Sequence, residues 1–265
     1  MSDITVINDS EQSSLVTNGL AKNGELYLKA AGSTDAGAIV AYDSGVWRTF
    51  ANEYSSGFAN QYSVTLDGVD DQITGASGSL GITGTSWTYC FRARWGTLPS
   101  SGFFNAFSSY TPSLIRVSST YIRPYSSFAN HVFYVDGGVV ADKWYFLAVV
   151  QDGTSHSYYV KSSTDDLSQT KTGSASGLPQ GPTIIGAGTS YFDELATFNS
   201  ALSSSDIDAI YNSGTPIDLT SYSPASWWRM GDSDSGTGTS VSNEVSGGAS
   251  LSLQNGAAFS TTVPS

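Results

Sequence analysis

The chain has 265 residues, of which 39% are hydrophobic and 12% aromatic, so it can bury a large core and is not expected to be disordered. Its formal charge of −12, from 11 basic and 23 acidic residues, disfavours nucleic acids and anionic membranes as partners. No run approaches the roughly 18 apolar residues of a membrane helix, and the start MSDITVINDSEQSS lacks the basic and apolar segments of a secretory signal.

Residues 1–57 differ from the rest of the chain in their residue pattern and are predicted to form a small N-terminal β arm. Glu25–Lys29 alternates apolar and polar residues, and Gly37–Phe50 is typical of a hairpin that turns at Asp43–Gly45. Two or three strands with one apolar face cannot make a core alone. The arm is therefore expected to dock on its own sandwich, on another copy or on another protein. The candidate anchoring residues are Leu26, Tyr27, Leu28, Tyr42 and Trp47.

Alternating patterns after residue 58 predict a many-stranded domain. In Ser86–Trp95 the aromatic residues fall on one face, while Thr88, Cys90, Arg92 and Arg94 fall on the other. Trp144–Val150 is an uninterrupted apolar run, which is typical of a central strand. Residues 162–182 show no period and are expected to form an exposed loop. Further strands are predicted at 103–107, 114–117, 121–123, 131–135 and 157–161.

The stretch Gly181–Gly214 predicts a strand at Ile184–Ile185, a turn, a strand over 191–198 and then one short helix. Ser203 is placed as the helix N-cap, with Asp206 reaching back to it, and Gly214 is placed to end the helix. A single helix of about three turns does not persist alone in water. It is therefore expected to lie against a sheet.

Four blocks of this sequence, in order over residues 60–214, resemble the laminin-G-like (concanavalin A-like) jelly-roll family. They are SVTLDGVDD from Ser63, SWTYCFRARW from Ser86, WYFLAVVQDG from Trp144 and YFDELATFNSALSSSDIDAIYNSG from Tyr191. The resemblance implies an all-β, antiparallel β-sandwich (jelly roll), with one short helix near 203–212 and the N-terminal β arm in addition.

The segment that normally begins such a domain resembles the tail of this chain, Ser226–Asp232 followed by Leu251–Phe259. Either the domain is circularly permuted or a truncated second copy follows the first. The remaining forty or so residues are too few for a second sandwich, which favours permutation. The expected domain is then 58–265, closed by residues 225–260, with the last strand supplied in cis or by a neighbouring chain.

The sequence offers no catalytic pattern, and an enzyme is not expected. Glycosidases on this fold carry two or three carboxylates that alternate on one strand, so that two of them face the same cleft about 5 Å apart. Asp193 and Glu194 are adjacent instead and should point to opposite faces. His131 and His156 stand in no motif. Cys90 is most simply a small residue in or near the core.

Calcium is the one cofactor that the residues suggest, as a structural ion that is not required for folding. Asp67, Asp70 and Asp71 cluster in one turn and offer the hard oxygen ligands that Ca²⁺ prefers. The resemblance places Asp193 near that turn. In the alternative, Asp67-Gly68 is ordinary hairpin chemistry and Asp193 caps a strand end.

Two functions remain open. The arrangement of blocks is similar to that of structural proteins of marine tailed phages, which implies a protein on the virion exterior, in capsid decoration or a tail fibre. It would be a homo-oligomer that contacts other virion proteins through its arm. The alternative is an adhesion module for host-surface glycans. Its candidate sugar-contacting residues are the loop tyrosines Tyr110, Tyr121 and Tyr125, whereas Trp87, Trp144 and Tyr145 are assigned to the core.

Overall fold

The computed structural model describes residues 58–98, 119–126, 129–130, 133–134, 138–172, 183–185 and 188–264, together with the backbone of strands at 5–7, 26–29, 39–43, 46–51, 102–105 and 114–117. The chain divides into two compact units, residues 1–59 and residues 60–265. The strands are β1 (Thr5–Ile7), β2 (Leu26–Lys29), β3 (Ile39–Asp43), β4 (Val46–Ala51), β5 (Ser63–Leu66), β6 (Gln72–Thr74), β7 (Ser86–Trp95), β8 (Gly102–Asn105), β9 (Leu114–Val117), β10 (Tyr121–Ser126), β11 (Ala129–Asn130), β12 (Phe133–Tyr134), β13 (Trp144–Asp152), β14 (Ser155–Lys161), β15 (Asp166–Thr172), β16 (Thr183–Ile185), β17 (Ser190–Phe198), β18 (Ser226–Trp228), β19 (Ser240–Val241), β20 (Leu251–Gln254) and β21 (Ala258–Ser260).

The first unit contains a four-stranded sheet in the order β1-β2-β3-β4, as far as its described strands show. The predicted hairpin at Asp43–Gly45 is confirmed, because Asp43 pairs with Val46 across a two-residue connection. The strand at Leu26–Lys29 is also confirmed, and it pairs in parallel with β1, which the sequence did not predict. Tyr42 is the register partner of Trp47. Side chains in this unit lie outside the described residues, as do any contacts of the candidate anchoring residues.

The second unit is an antiparallel β-sandwich, as predicted. In the described part of the chain one sheet has the order β15-β14-β13-β7-β17-β5-β21, with β18 also paired to β17. The other has the order β11-β10-β9-β8-β16-β6-β20-β19, with β12 paired to β10. Residues of both sheets share one buried cluster, which includes Phe91 and Phe192 from the first sheet and Ile73 and Leu253 from the second. The core therefore lies between the sheets.

Aromatic rings of β7 organise that core. Trp87, Tyr89 and Phe91 stack in sequence, with ring centroids 5.7 and 6.4 Å apart. Phe91 also stacks on Phe192 of β17 at 4.7 Å. The alternation read from the sequence is thus confirmed: these rings face the core, and Cys90 and Arg92 face the outer side of the sheet, where α1 (Ser204–Tyr211) lies.

The C-terminal segment completes both sheets in cis. β18 pairs with β17, and β21 pairs with β5, in the first sheet. β20 pairs with β6 in the second sheet. Of the two arrangements left open by the sequence, pairing within the chain is the observed one.

The prediction of an exposed loop over 162–182 is wrong in its first half. Residues 166–172 form β15, which pairs along its whole length with β14. β15 is an edge strand, and of its residues Leu167 packs against the core. An edge strand that is mostly solvated needs no apolar alternation, and for that reason its sequence, DLSQTKT, carried no strand signal.

The helix begins as predicted and ends earlier. The Ser203 hydroxyl accepts from the Asp206 N–H at 3.2 Å, and the Asp206 carboxylate accepts from the Ser203 N–H at 3.0 Å, which completes a capping box. The helix ends at Tyr211 because Asn212 adopts a left-handed conformation, with φ of 44°. Gly214 therefore lies in the following 3₁₀ turn and is not the helix cap. Within the described chain, no helix has the length and apolar character needed to cross a membrane.

Arg92 fixes α1 on the outer face of the first sheet. Its guanidinium donates to the carbonyl oxygens of Ile210 at 3.2 Å and Tyr211 at 3.1 Å, and also to that of Gly214. These carbonyls belong to the helix end and the turn after it, where backbone acceptors lack helical partners and carry partial negative charge. Arg92 is only 3% exposed and lies 5.4 Å from the Phe146 ring. One buried cation thus closes the helix and attaches it to β7.

Replacing Arg92 by Met should lower the free energy of unfolding by about 3 kcal/mol, because it leaves three carbonyls and nearby buried carboxylates without their cation. Arg94→Met on the same strand is the matched control: Arg94 pairs with Asp142 at 2.7 Å, and that carboxylate is 62% exposed. This control should cost at most about 1 kcal/mol. Urea unfolding followed by tryptophan fluorescence measures both, and equal losses would contradict the role given to Arg92.

Candidate functional site

A groove runs over the outer face of the first sheet, between the start of β13, the β14–β15 turn and the end of α1. It consists of two adjoining hollows of about 290 and 430 Å³ that share Ser162, Ser163, Tyr211 and Ser213. The first hollow is completed by Arg92, Lys143, Trp144, Tyr145, Phe146 and Gly214. The second hollow is completed by Lys161, Thr164, Asp165, Asp166 and Asp208.

The first hollow is aromatic. Trp144 opens β13 and is half-buried, and Tyr211 closes α1 and is also half-buried. The Tyr211 ring lies 5.8 Å from the Phe146 ring at a tilt of 41°. Arg92 holds the Tyr211 carbonyl, so the same contact that closes the helix also positions this ring at the groove.

The second hollow presents carboxylates to solvent. The Lys161 ammonium, 5% exposed, donates to Oδ1 of Asp166 and to Oδ1 of Asp208. Those carboxylates are 78% and 61% exposed. Burial works to lower the pKa of Lys161, but the hydrogen bonds to the two carboxylates outweigh it, and the pKa is raised. Lys161 therefore stays charged beneath them, and Oδ2 of each carboxylate remains able to accept a further hydrogen bond.

The turn between β14 and β15 is held by Asp165. Its Oδ2 accepts from Lys143 Nζ at 3.0 Å, from Thr164 Oγ1 at 3.0 Å and from Ser162 Oγ. Burial acts to raise the pKa of Asp165, whereas the hydrogen bonds from Ser162, Lys143 and Thr164 lower it, and the net direction is down. The turn is thus ordered by its own side chains, with Lys143 neutralised.

The acidic turn predicted from the sequence does form a group. One oxygen from each of Asp67, Asp70 and Asp71 lies within 4.8 Å of the others. Two carboxylates already accept backbone N–H groups: Asp71 Oδ2 from Asp67 at 2.8 Å and Asp67 Oδ1 from Val69 at 2.7 Å. The donor type suits Ca²⁺, and the remaining carboxylate oxygens supply part of the six to eight ligands that the ion takes. Calcium binding stays a prediction.

Two glycines hold that turn against the loop before β17. A Cβ built on Gly68 would lie 2.3 Å from the Gly188 nitrogen, and one on Gly188 would lie 2.6 Å from the Thr97 oxygen. Both residues have positive φ, of 80° and 69°. The backbones therefore touch directly, which no residue larger than glycine permits.

Asp193 does not belong to the acidic turn. It is fully buried in β17, where Oδ2 accepts from Asn60 Nδ2 at 3.0 Å. Burial and the neighbouring Glu194 raise its pKa well above the usual range. The metal group found among the described residues is thus Asp67, Asp70 and Asp71, without Asp193.

Glu194 lies at an irregularity in β17 that the sequence did not predict. Its φ is 50°, and the pairing with β7 shifts between Asp193 and Ala196. Its carboxylate accepts from Trp227 Nε1 at 2.7 Å and from Arg229 Nε at 3.3 Å. Burial raises its pKa to about 7, although Arg229 and Trp227 act to lower it.

The irregularity breaks the strict alternation expected for these two carboxylates. Burial lowers the pKa of Arg92, and both Glu194 and Asp193 act to raise it, so both lie near the same outward-facing cation. They are 5% and 0% exposed and line neither hollow of the groove. Glu194 stabilises the junction of β17 with the C-terminal segment through Trp227 and Arg229, whereas Asp193 bonds Asn60.

Of the three tyrosines predicted to contact sugar, the structure describes the side chain of Tyr121, which lines neither hollow of the groove. Tyr121 is half-buried on β10, in the second sheet. Tyr125 lies on the same strand with its side chain outside the described residues, and Tyr110 lies outside them altogether. Of the aromatics assigned to the core, Trp87 and Tyr145 are buried as predicted, whereas Trp144 is half-buried and lines the groove.

Neither cysteine nor histidine contributes to the groove where it is described. Cys90 is buried under α1, and burial raises the pKa of its thiol to about 12, so it is unreactive, as expected of a near-core residue. His156 is buried in β14. His131 lies outside the described residues.

No protein-family model matches the sequence, and no curated protein matches it. In fold, the chain is similar to a protein of Bacteroides ovatus whose name proposes carbohydrate binding, with a TM-score of 0.56 and 12% identity over 92% of this chain and 71% of that chain. This similarity shows the β-sandwich fold.

Two further solved structures are less similar. One is the enzymatically active domain of tailspike protein 2 from bacteriophage CBA120, with a TM-score of 0.45 and 12% identity over 64% of this chain and 29% of that chain. The other is a heptameric SAP-like pentraxin from Limulus polyphemus, with a TM-score of 0.40 and 14% identity over 57% of this chain and 82% of that chain. TM-scores below 0.5 do not by themselves establish a shared fold.

Glu194 should make stability fall as pH rises. With a pKa of about 7 in the folded chain against 4.5 ordinarily, Glu194 keeps a proton between these pH values that the unfolded chain releases. The free energy of unfolding therefore declines across this window, by at most about 1.4 kcal/mol per pH unit for one proton. Glu194→Gln should reduce the slope, measured by urea unfolding from pH 4 to pH 8.

Glu244→Gln is the control for this experiment, because Glu244 is exposed and the chemical change is the same. Its slope should match that of the unaltered protein. If the free energy of unfolding of Glu194→Gln still fell with pH as steeply as that of the unaltered protein, groups other than Glu194 would be its cause.

Proposed function

We propose that this chain is a non-catalytic glycan-binding protein and that the groove beside α1 receives the saccharide. The observation that carries the proposal is the composition of the groove. Half-buried aromatic rings, the exposed hydroxyls of Ser163 and Ser213 and two exposed carboxylates meet in adjoining hollows of about 290 and 430 Å³. Aromatic faces stack on the C–H face of a sugar ring, and carboxylate and hydroxyl groups bond its hydroxyls.

Different residues of the groove are suited to different contacts with a saccharide. Tyr211 and Trp144 offer apolar faces at the first hollow. Ser163 and Ser213 are exposed and offer hydroxyls that can donate or accept. In the second hollow, the free carboxylate oxygens accept from sugar hydroxyls. Since the ion pairs already fix these side chains, the groove is ordered before a ligand arrives, which reduces the entropy cost of binding.

A binding role is favoured over a hydrolytic one. A glycosidase needs a carboxylic acid with a raised pKa beside a second carboxylate. In the groove, Asp166 and Asp208 share one lysine, and the pKa of Asp165 is lowered. The fold similarity to the protein named for carbohydrate binding supports the same choice.

Tyr211→Ala should weaken saccharide binding about fivefold, since it removes a stacking surface worth on the order of 1 kcal/mol. The measurement is calorimetric titration with the saccharides that bind in a panel of neutral and acidic oligosaccharides. Affinity should be unchanged by EDTA, because neither hollow contains Asp67, Asp70 or Asp71.

The control is Tyr222→Ala, which alters a half-buried tyrosine that lines neither hollow. Its affinity should equal that of the unaltered protein. Loss of binding in EDTA would move the site to the acidic turn, and absence of binding across the panel would refute the proposed function.

A virion role is the second candidate. It is favoured by the compact sheet-forming unit of residues 1–59, which gives the chain an element separate from the sandwich for attachment. In this form of the proposal the protein is a homo-oligomer on the exterior of a tailed phage, as a capsid decoration or tail component. The first unit contacts other virion proteins, and the sandwich meets host-surface glycans.

Deleting residues 1–57 should abolish incorporation into particles while leaving saccharide affinity unchanged. Incorporation is measured by detecting the truncated protein in purified particles, beside the full chain as control. If the truncated protein still joins the particle, attachment lies in the sandwich and the role given to the first unit is wrong.

A further inference from the structure

We infer that the groove selects uncharged saccharides of at least two units and rejects acidic ones. This inference rests on the proposed function and concerns the same site. It comes from two features of the groove, its division into two hollows and the unequal exposure of its positive and negative groups.

The minimum length of the saccharide follows from the way in which the two hollows join. Ser162, Ser163, Tyr211 and Ser213 line both, so the two form one continuous path. The first hollow, of about 290 Å³, is at the lower end of the range of small-ligand pockets, roughly 300–1,000 Å³. Trp144 lines the first hollow alone, whereas Asp166 and Asp208 line the second alone, so a sugar ring against Trp144 leaves the second hollow for a further ring.

The charge selection follows from which ions reach solvent. Lys161 is 5% exposed and Lys143 is 17% exposed, and each is bonded to a carboxylate. Arg92 is 3% exposed and is occupied by backbone carbonyls. The cations of the groove are therefore shielded from solvent and already bonded to groups of the protein, so they do not attract an acidic ligand.

The exposed charges of the groove are Asp166 and Asp208, at 78% and 61%. A ligand that enters the second hollow meets these carboxylates first. The hydroxyl groups of a neutral sugar can donate hydrogen bonds to the free oxygens of these carboxylates. The carboxylate of a uronate or sialate is instead repelled by them, because both groups are negatively charged. The formal charge of −12 on the whole chain adds to the repulsion.

The test uses pairs of di- to tetrasaccharides that differ only in bearing a hydroxymethyl group or a carboxylate at C6, titrated into the full-length protein. The neutral member should bind at least tenfold more tightly than its acidic partner at low salt, and added salt should narrow the difference. The corresponding monosaccharide should bind more weakly than the disaccharide.

The variant Asp166→Asn with Asp208→Asn removes both negative charges beside the Lys161 ammonium and should bind the acidic member at least tenfold more tightly than the unaltered protein does. Asp152→Asn is the matched control: it removes one exposed carboxylate at the other end of β13 from Trp144 and should leave the preference unchanged. If the double variant unfolds, Asp166→Asn alone, on the edge strand, should still narrow the preference.

The outcomes separate the inference from the proposed function. Acidic saccharides that bind the unaltered protein as tightly as neutral ones overturn the charge selection, and monosaccharides that bind as tightly as disaccharides overturn the length. Either result leaves glycan binding in place if Tyr211→Ala weakens it. If no saccharide binds in a Tyr211-dependent way, the proposed function itself fails.

Discussion

The buried guanidinium of Arg92 is the constraint on which the groove depends. It lies on the outer face of a central strand, where a cation would be costly unless it were bonded, and the carbonyls at the end of α1 supply its partners. The helix in turn gains the positive charge that its C-terminal end favours. Tyr211, the last helical residue, is placed at the groove by this contact. The buried Ile207 and Ile210, the Lys161–Asp208 ion pair and the contact of the Tyr211 ring with Phe146 complete the attachment of the helix.

The charges of this chain serve different purposes according to their depth. Glu194 and Arg229 are buried together and connect the middle of β17 to the C-terminal segment, at the expense of a raised carboxyl pKa. Lys161 is buried beneath two exposed carboxylates and fixes their position at the groove. The first arrangement specifies a strand junction, and the second leaves acceptor oxygens facing solvent. Both rely on a cation that is sheltered from water and thus interacts strongly with its partners.

The sequence was sufficient for the sandwich because its signals are local. Alternation in β7 and the capping box at Ser203 each depend on residues a few positions apart, and both are confirmed. The groove depends instead on Trp144, Ser162 and Tyr211, which are distant in sequence and meet only through the sheet register and the Arg92 contact. The periodicity of a sequence carries no information about contacts between residues so far apart in the chain. The apolar run Trp144–Val150 therefore predicts a core position for Trp144, whereas its place at the first residue of β13 leaves it half-buried.

The closing strands of the sandwich also set the order in which the molecule can be completed. β5 needs β21 as its outer neighbour, and the Ser63 hydroxyl bonds a carbonyl 199 residues later in the chain. During folding, β5 and β6 each keep an open edge until β21 and β20 pair with them. Unpaired strand edges are the surfaces through which chains associate wrongly. Correct assembly of this protein therefore depends on these distant strands pairing within the chain before another chain takes the same edges.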